Sequence, residues 1–300
     1  MDELDPGAAW AARPLDARTL RRMLEHAYGP RAPREEPVVH ALSTTSRNLV
    51  LRTALHDGRQ VVLKIAPPPH LPSMGHETDQ LGAEVEALHM VAEHTGITAP
   101  QMHHHDDSHE LVDAEWFAMS HVEGHPAGLG AGDPRLAETF AALHQISGDG
   151  FGRAGASPQG SWQDAFTSIV EDLLADAQLV GQQLDVDVEH LHQLVLDRGD
   201  CLDEVTEAVW CWANTDPADL LDTGSGLALL DHGHGIWGDP LMDLDAPRTG
   251  LSAAAARRRA LYDLREALEA CVVDAHRGRV ASATHASALQ AAIDALAAFA

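Results

Sequence analysis

Residues 48–65, NLVLRTALHDGRQVVLKI, decide the fold. Two aliphatic, strand-like runs, Asn48 to Ala54 and Gln60 to Ile65, flank the turn His56-Asp57-Gly58-Arg59. An Asp-Gly pair between two such runs is a strong hairpin signal, because glycine accepts the positive φ of a tight turn without steric cost. The stretch is therefore expected to form an antiparallel hairpin. Its second strand carries Lys64, the single lysine among 20 basic residues, the others all being arginine. Where arginine has replaced lysine everywhere else, a retained compact point charge on a strand asks for a chemical reason.

Working outward, residues 14–27 place Leu15, Leu20, Met23 and Leu24 at helical spacing behind Asp16, an N-cap residue type. After the hairpin, Pro67-Pro68-Pro69 breaks the chain ahead of a helical stretch from His76 to His94. Strand-like segments follow at 101–105 and 116–121, and glycines at 124, 128, 130 and 132 mark a crossing. The remainder is expected to be mostly helical, over 134–147, 161–180, 186–198, 252–276 and 283–299, with short strands and turns between 205 and 245. This pattern gives an α+β chain of two lobes. A small antiparallel β-sheet lobe with a leading helix covers 1–122, and a larger mainly helical lobe covers 123–300.

Charge divides along the same line. The chain of 300 residues has 46 acidic against 20 basic groups, a net charge of -26. Residues 1–72 carry 10 basic and 8 acidic groups, +2, so residues 73–300 carry 10 and 38, -28. Such a surface repels nucleic-acid phosphates and anionic lipid, and it favours a cationic small molecule, or an anion that arrives with a metal. The cysteines Cys201, Cys211 and Cys271 lack metal-binding spacing and fit a reducing compartment. No basic-then-apolar leader opens the sequence and no apolar run reaches about 20 residues. A soluble cytoplasmic protein is the expectation.

Five segments, taken in order, resemble the aminoglycoside phosphotransferase and choline kinase-like family. They are Val61-Val62-Leu63-Lys64-Ile65, Ala83-Glu84-Val85-Glu86, Phe117 to Gly124, Leu230-Asp231-His232-Gly233, and Trp237-Gly238-Asp239-Pro240-Leu241-Met242-Asp243-Leu244. The resemblance covers nearly the whole chain and implies a two-lobed protein-kinase-like fold. It implies that Lys64 binds nucleotide phosphates, that Glu84 holds Lys64, and that Asp231 binds metal. Asp239 and Asp243 would brace the loops around them. Ser46 and Asn48 stand where the phosphate-covering loop belongs, in a segment without glycine.

One segment departs from the family. Where His-Gly-Asp and a following Asn are expected, this chain has Trp212-Ala213-Asn214 and, five residues after Asn214, Asp219. Asn214 falls at the position of the base, and an amide cannot accept a proton from a substrate hydroxyl. Asp219 can still bind metal beside Asp231, and Asp216 is a candidate displaced base or substrate contact. Three readings follow. The cleft is repurposed for non-phosphoryl chemistry on a cationic substrate, such as ring closure or elimination in secondary metabolism. Alternatively the chain is an active ATP- and Mg²⁺-dependent small-molecule kinase, since phosphoryl transfer rests mainly on positioning and charge. Or it is a pseudokinase, a binding module or subunit of a hetero-oligomer.

Of 20 histidines, His232 and His234 flank Gly233 beside Asp231 and are the candidates for acid/base work, with an ordinary pKa near neutrality. Trp212 offers a cation-π platform for an amine. The tract His103-His104-His105-Asp106-Asp107 has metal-ligand composition. Strand alternation lets only His103 and His105 share a face, and the tract reads as a solvated strand end.

Overall fold

The computed structural model describes residues 15–42, 47–71, 73–129, 133–179, 186–214, 216–244, 246–277 and 282–299. The leading helix α1, Ala17–Tyr28, is capped as its sequence predicts, with the Thr19 N–H donating to Asp16 Oδ1 at 2.9 Å. Strands β1 (Val39–Ala41), β2 (Leu49–Ala54), β3 (Gln60–Ile65), β4 (Met102–Asp106) and β5 (Trp116–Ser120) form one antiparallel sheet in the order β1-β2-β3-β5-β4. The hairpin closes in the expected register, Leu49 opposite Ile65 and Ala54 opposite Gln60, with Gly58 at φ 85°.

Alternation along β3 sorts its side chains. Leu63 and Ile65 join Leu49, Leu51 and Trp116 against Leu20, Met23 and Leu24 of α1. Lys64, between them, points to the opposite face, which helix α2 (Gln80–His94) covers with Leu81 and Val85 packed on Phe117. Further along α2, Ala87 and Val91 pack with Phe140, Leu143, Trp210, Trp212 and Leu229, residues from the region after Gly124. Helix α2 thus belongs to both halves, and its placement sets where the sheet and the rest of the molecule meet.

The region after Gly124 contains helices α3 (Pro134–Leu143), α4 (Trp162–Leu179), α5 (Val188–Arg198), α6 (Ala253–His276) and α7 (Ala283–Ala297). Between them run short strands β6 (His125–Pro126), β7 (Gly152–Arg153), β8 (Val209–Cys211), β9 (Leu220–Asp222), β10 (Leu227–Leu229) and β11 (Ile236–Gly238). They make two three-stranded sheets, β10-β9-β6 and β7-β11-β8. The main core gathers Trp162, Phe166, Leu261, Tyr262 and Leu268, with the Trp162 indole N–H donating to the Tyr262 hydroxyl at 2.8 Å. Among the described residues no helix is long and apolar enough to cross a membrane.

Two local expectations change. The helix expected from His76 is interrupted: Gly75–Glu77 form a separate turn, Asp79 sits at φ 58°, and the regular helix starts at Gln80. The left-handed residue stops propagation from the turn. The edge strand β1 gave no sequence signal, because all three of its residues are exposed and show no alternation.

The Trp-Gly-Asp-Pro run is explained by contact. A Cβ on Gly238 would lie 2.7 Å from the Trp162 ring, deep in the main core. Gly238→Ala is expected to destabilise by about 1–3 kcal/mol through overpacking, measured as a lower urea midpoint with unchanged slope; an unchanged midpoint would remove this account of the glycine.

Candidate active site

Strand β3 and helix α2 bring the retained lysine to its partners. Lys64 Nζ donates to Glu84 Oε2 at 2.6 Å and to Asp231 Oδ1 at 2.9 Å. Lys64 and Glu84 are buried, at 4% and 1% exposure, while the Asp231 side chain keeps 27%. Burial alone would lower the Lys64 pKa, but the carboxylates of Asp231 and Glu84 outweigh it and hold the ammonium charged. Asp231 is pulled well below the usual carboxylate range, the Lys64 charge prevailing over burial. Glu84 is pushed up to about 7, burial and the neighbouring Asp231 winning over Lys64. The sequence-predicted cluster of Lys64, Glu84 and Asp231 therefore exists as one ion network.

Asp231 follows β10 in the left-handed region, φ 49°, as does Ala213 in the facing loop at φ 51°. Such backbone costs a residue with a Cβ roughly 1–2 kcal/mol and persists only when neighbours over-determine it. Asp243 does this for the loop. It is buried, and accepts the backbone N–H groups of Trp212 at 3.3 Å and Ala213 at 2.8 Å, with His144 Nε2 at 2.9 Å. Asp239 is tied instead to helix α6, accepting from Arg258 at 2.8 Å and the Tyr262 hydroxyl at 2.7 Å.

The loop delivers Asn214 and Asp219 to the network. Asn214 Nδ2 donates to Asp219 Oδ2 at 2.9 Å and, more weakly, to the Asp231 carbonyl at 3.5 Å. Its Oδ1 accepts the Asp216 N–H at 2.9 Å. That backbone donor requires an oxygen, so the orientation of the amide is determined. Asp219 is raised above the usual carboxylate range, first by burial and then by the charge of Asp231, with Asn214 opposing. Asp219 and Asp231 present hard carboxylate oxygens close enough for the charge of one to act on the other, a donor type suited to Mg²⁺.

Two expectations require correction. Trp212 is fully buried, packs 6.2 Å from Phe140 between ring centroids, and donates its indole N–H to the Leu230 carbonyl, so it offers no face to an amine substrate. His232 is also fully buried, and burial lowers its pKa to about 4. Neither of its ring nitrogens makes a hydrogen bond of normal geometry, although the Leu229 backbone lies close enough to oppose deprotonation. It cannot reach a substrate. Asp216 is exposed and its Oδ1 accepts the Ala218 N–H, so one of its carboxylate oxygens caps the turn. His234 stays half-buried, near enough to Asp231 to help lower it. Asn48 lines a pocket with Arg47, Pro68, Gln80 and Leu81 that does not include Lys64. Ser46 lies outside the described residues.

Sequence reading missed a buried ionic cluster next to this site. His76 Nε2 lies 3.4 Å from Glu269, which also pairs with Arg265 at 2.7 Å, while Arg153 acts on the same group. Glu77, beside His76, pairs with Arg277 at 2.6 Å. These residues come from three separate segments, and only Arg265 and Glu269, four apart on one helix, are joined by a local spacing.

A profile of the phosphotransferase enzyme family, APH, matches residues 38–270. The chain belongs to this family. Solved structures agree in fold: a candidate fructosamine-3-kinase from Thermobifida fusca has TM-score 0.70 at 17% identity, covering 94% of this chain and 99% of its own. A thermostable mutant of aminoglycoside phosphotransferase APH(4)-Ia, in ternary complex with ADP and hygromycin B, has TM-score 0.57 at 17% identity over 93% of this chain and 97% of its own. Macrolide 2'-phosphotransferase MphH from Brachybacterium faecium has TM-score 0.59 at 17% identity over 92% and 97%. No curated protein matches significantly. The expected family membership and two-lobed kinase-like α+β fold both stand.

The buried histidine gives this phosphotransferase-family protein a pH signature. His232 falls from 6.5 to about 4 on folding, so the folded state binds fewer protons than the unfolded state in that window. Its contribution is complete above pH 6.5 and is lost as pH falls towards 4, at up to about 1.4 kcal/mol per unit. Urea unfolding across that range should show a shallower acid loss in His232→Leu than in the parent; parallel curves would contradict the assignment.

Proposed function

We propose that this chain is an ATP-dependent phosphotransferase acting on a cationic small molecule, with the two polar residues of its catalytic loop exchanged. The observation that carries this reading is Lys64 held between Glu84 and Asp231 in a buried, charged network. Lys64 would bind the nucleotide phosphates, Glu84 would keep its ammonium in place, and Asp219 and Asp231 would hold Mg²⁺. The metal, when bound, neutralises phosphate charge. Catalysis of this kind rests on positioning and electrostatics, which the assembled network supplies. Asn214 takes no proton; its amide orients the Asp219 carboxylate and thereby fixes the geometry of the metal-facing pair. The -28 charge of residues 73–300 favours a cationic acceptor.

Asn214 itself supports a second reading, in which the family cleft serves non-phosphoryl chemistry such as ring closure or elimination in secondary metabolism. A base worth roughly 10²–10⁴-fold is absent from its usual position. Thermal stabilisation and ADP release separate the possibilities. Under the kinase reading ATP with Mg²⁺ raises the Tm, Lys64→Ala abolishes the shift, and ADP forms with a cationic acceptor. The double exchange Asn214→Asp with Asp219→Asn, which preserves net charge, is expected to increase turnover about 10²-fold. Absence of any nucleotide shift overturns the kinase reading, and a shift without turnover in either protein assigns the chain as a binding module or partner subunit.

A further inference from the structure

Away from this site, the face of the sheet covered by α1 gathers three metal-ligating side chains. His26 comes from the last turn of α1, and His104 and Asp106 come from β4. One ligand atom from each lies within 4.8 Å of the other two. Strand alternation places His104 and Asp106 on one side, and a bulge between Met102 and His104 shifts the register there. The histidine tract therefore contributes its middle member, with a partner distant in sequence, rather than His103 with His105. His105 is engaged elsewhere, with Nε2 2.8 Å from Glu115.

We infer that His26, His104 and Asp106 form a binding site for a divalent transition-metal ion such as zinc, which fastens the end of α1 to the edge strand of the sheet. His26 Nε2 and Asp106 Oδ2 are 3.7 Å apart, close to the roughly 3.4 Å between ligands on a tetrahedral zinc. The other carboxylate oxygen is already oriented: Asp106 Oδ1 accepts the Ser108 N–H at 2.9 Å and its hydroxyl at 2.6 Å. Such outer contacts fix a ligating carboxylate and free its second oxygen for metal. His104 Nε2 is buried and has no hydrogen-bond partner among the described residues. A simple ion pair between His26 and Asp106 leaves that nitrogen unexplained, whereas a metal accounts for all three groups. Two imidazoles and one carboxylate suit zinc or cobalt better than magnesium. The exposed side of His26, 53% accessible, leaves room for water at a fourth position.

The test uses the full-length protein, stripped with a chelator and dialysed, then titrated with zinc by calorimetry and with cobalt(II) by visible absorption. The parent is expected to bind one equivalent at this site, to show cobalt bands of tetrahedral type, and to gain Tm with zinc. His26→Ala and Asp106→Asn should each weaken that binding at least about tenfold, and Ser108→Ala should weaken it by a similar factor through the carboxylate. His105→Ala should leave it unchanged. Because His26 is exposed, His26→Ala tests the site even if Asp106 variants fold poorly. Equal zinc affinity and equal Tm gain in the parent and His26→Ala, or no uptake by the stripped parent, overturns the site.

Discussion

The structure is organised around a buried ammonium. Lys64 could not stay charged on the inner face of a sheet without carboxylates at hydrogen-bond distance, since removing an ion from water costs several kcal/mol after relaxation. Glu84 and Asp231 meet that requirement from two different segments, one on α2 and one after β10. The network therefore fixes the sheet, α2 and the second half of the chain relative to one another. Contacts further along reinforce it: the Gln80 amide donates to the Gly233 carbonyl at 3.2 Å, and Glu77 reaches Arg277. Removing one member of such a network leaves a charge buried without compensation, which is more damaging than never having placed it there.

Asp219 sets the electrostatics of the loop, with the Asn214 amide donating to its carboxylate. With the acid at 219, negative charge accumulates beside Asp231, and the Asp219 carboxyl rises in response. Two adjacent carboxylates repel an unaccompanied polyphosphate and attract a divalent cation. The acidic second half of the chain, which at first describes only a surface, thus extends into the site itself.

Much of this was legible in the sequence because it is local or carried by spacing. The hairpin announced itself through Asp57-Gly58, and Lys64 stood out against an arginine background. Glu84 and Asp231 were readable from their positions relative to a strand and a strand end. The errors came where burial depends on distant packing. Trp212 and His232 lie beside Asn214 and Asp231 in sequence, but α3 and α2 close over Trp212, and His232 turns into the interior. Neither event has a signature within a few residues. The reading of the histidine tract assumed a regular strand, and the bulge after Met102 together with a helix nearly 80 positions upstream rearranged its partners.

Asp243 illustrates how rigidity is distributed. Its carboxylate, wholly shielded from solvent, accepts from Trp212 and Ala213 on the loop and from His144 at the end of α3. Those two backbone amides cannot be freed by fraying of the loop alone, because Trp212 is anchored in the core and its indole is tied to Leu230. These two amides therefore belong to the same cooperative unit as the core rather than to the mobile surface. They should exchange with solvent only through large-scale opening. A loop of this kind holds its shape before any ligand arrives, and the ordering entropy is expended during folding instead of during binding.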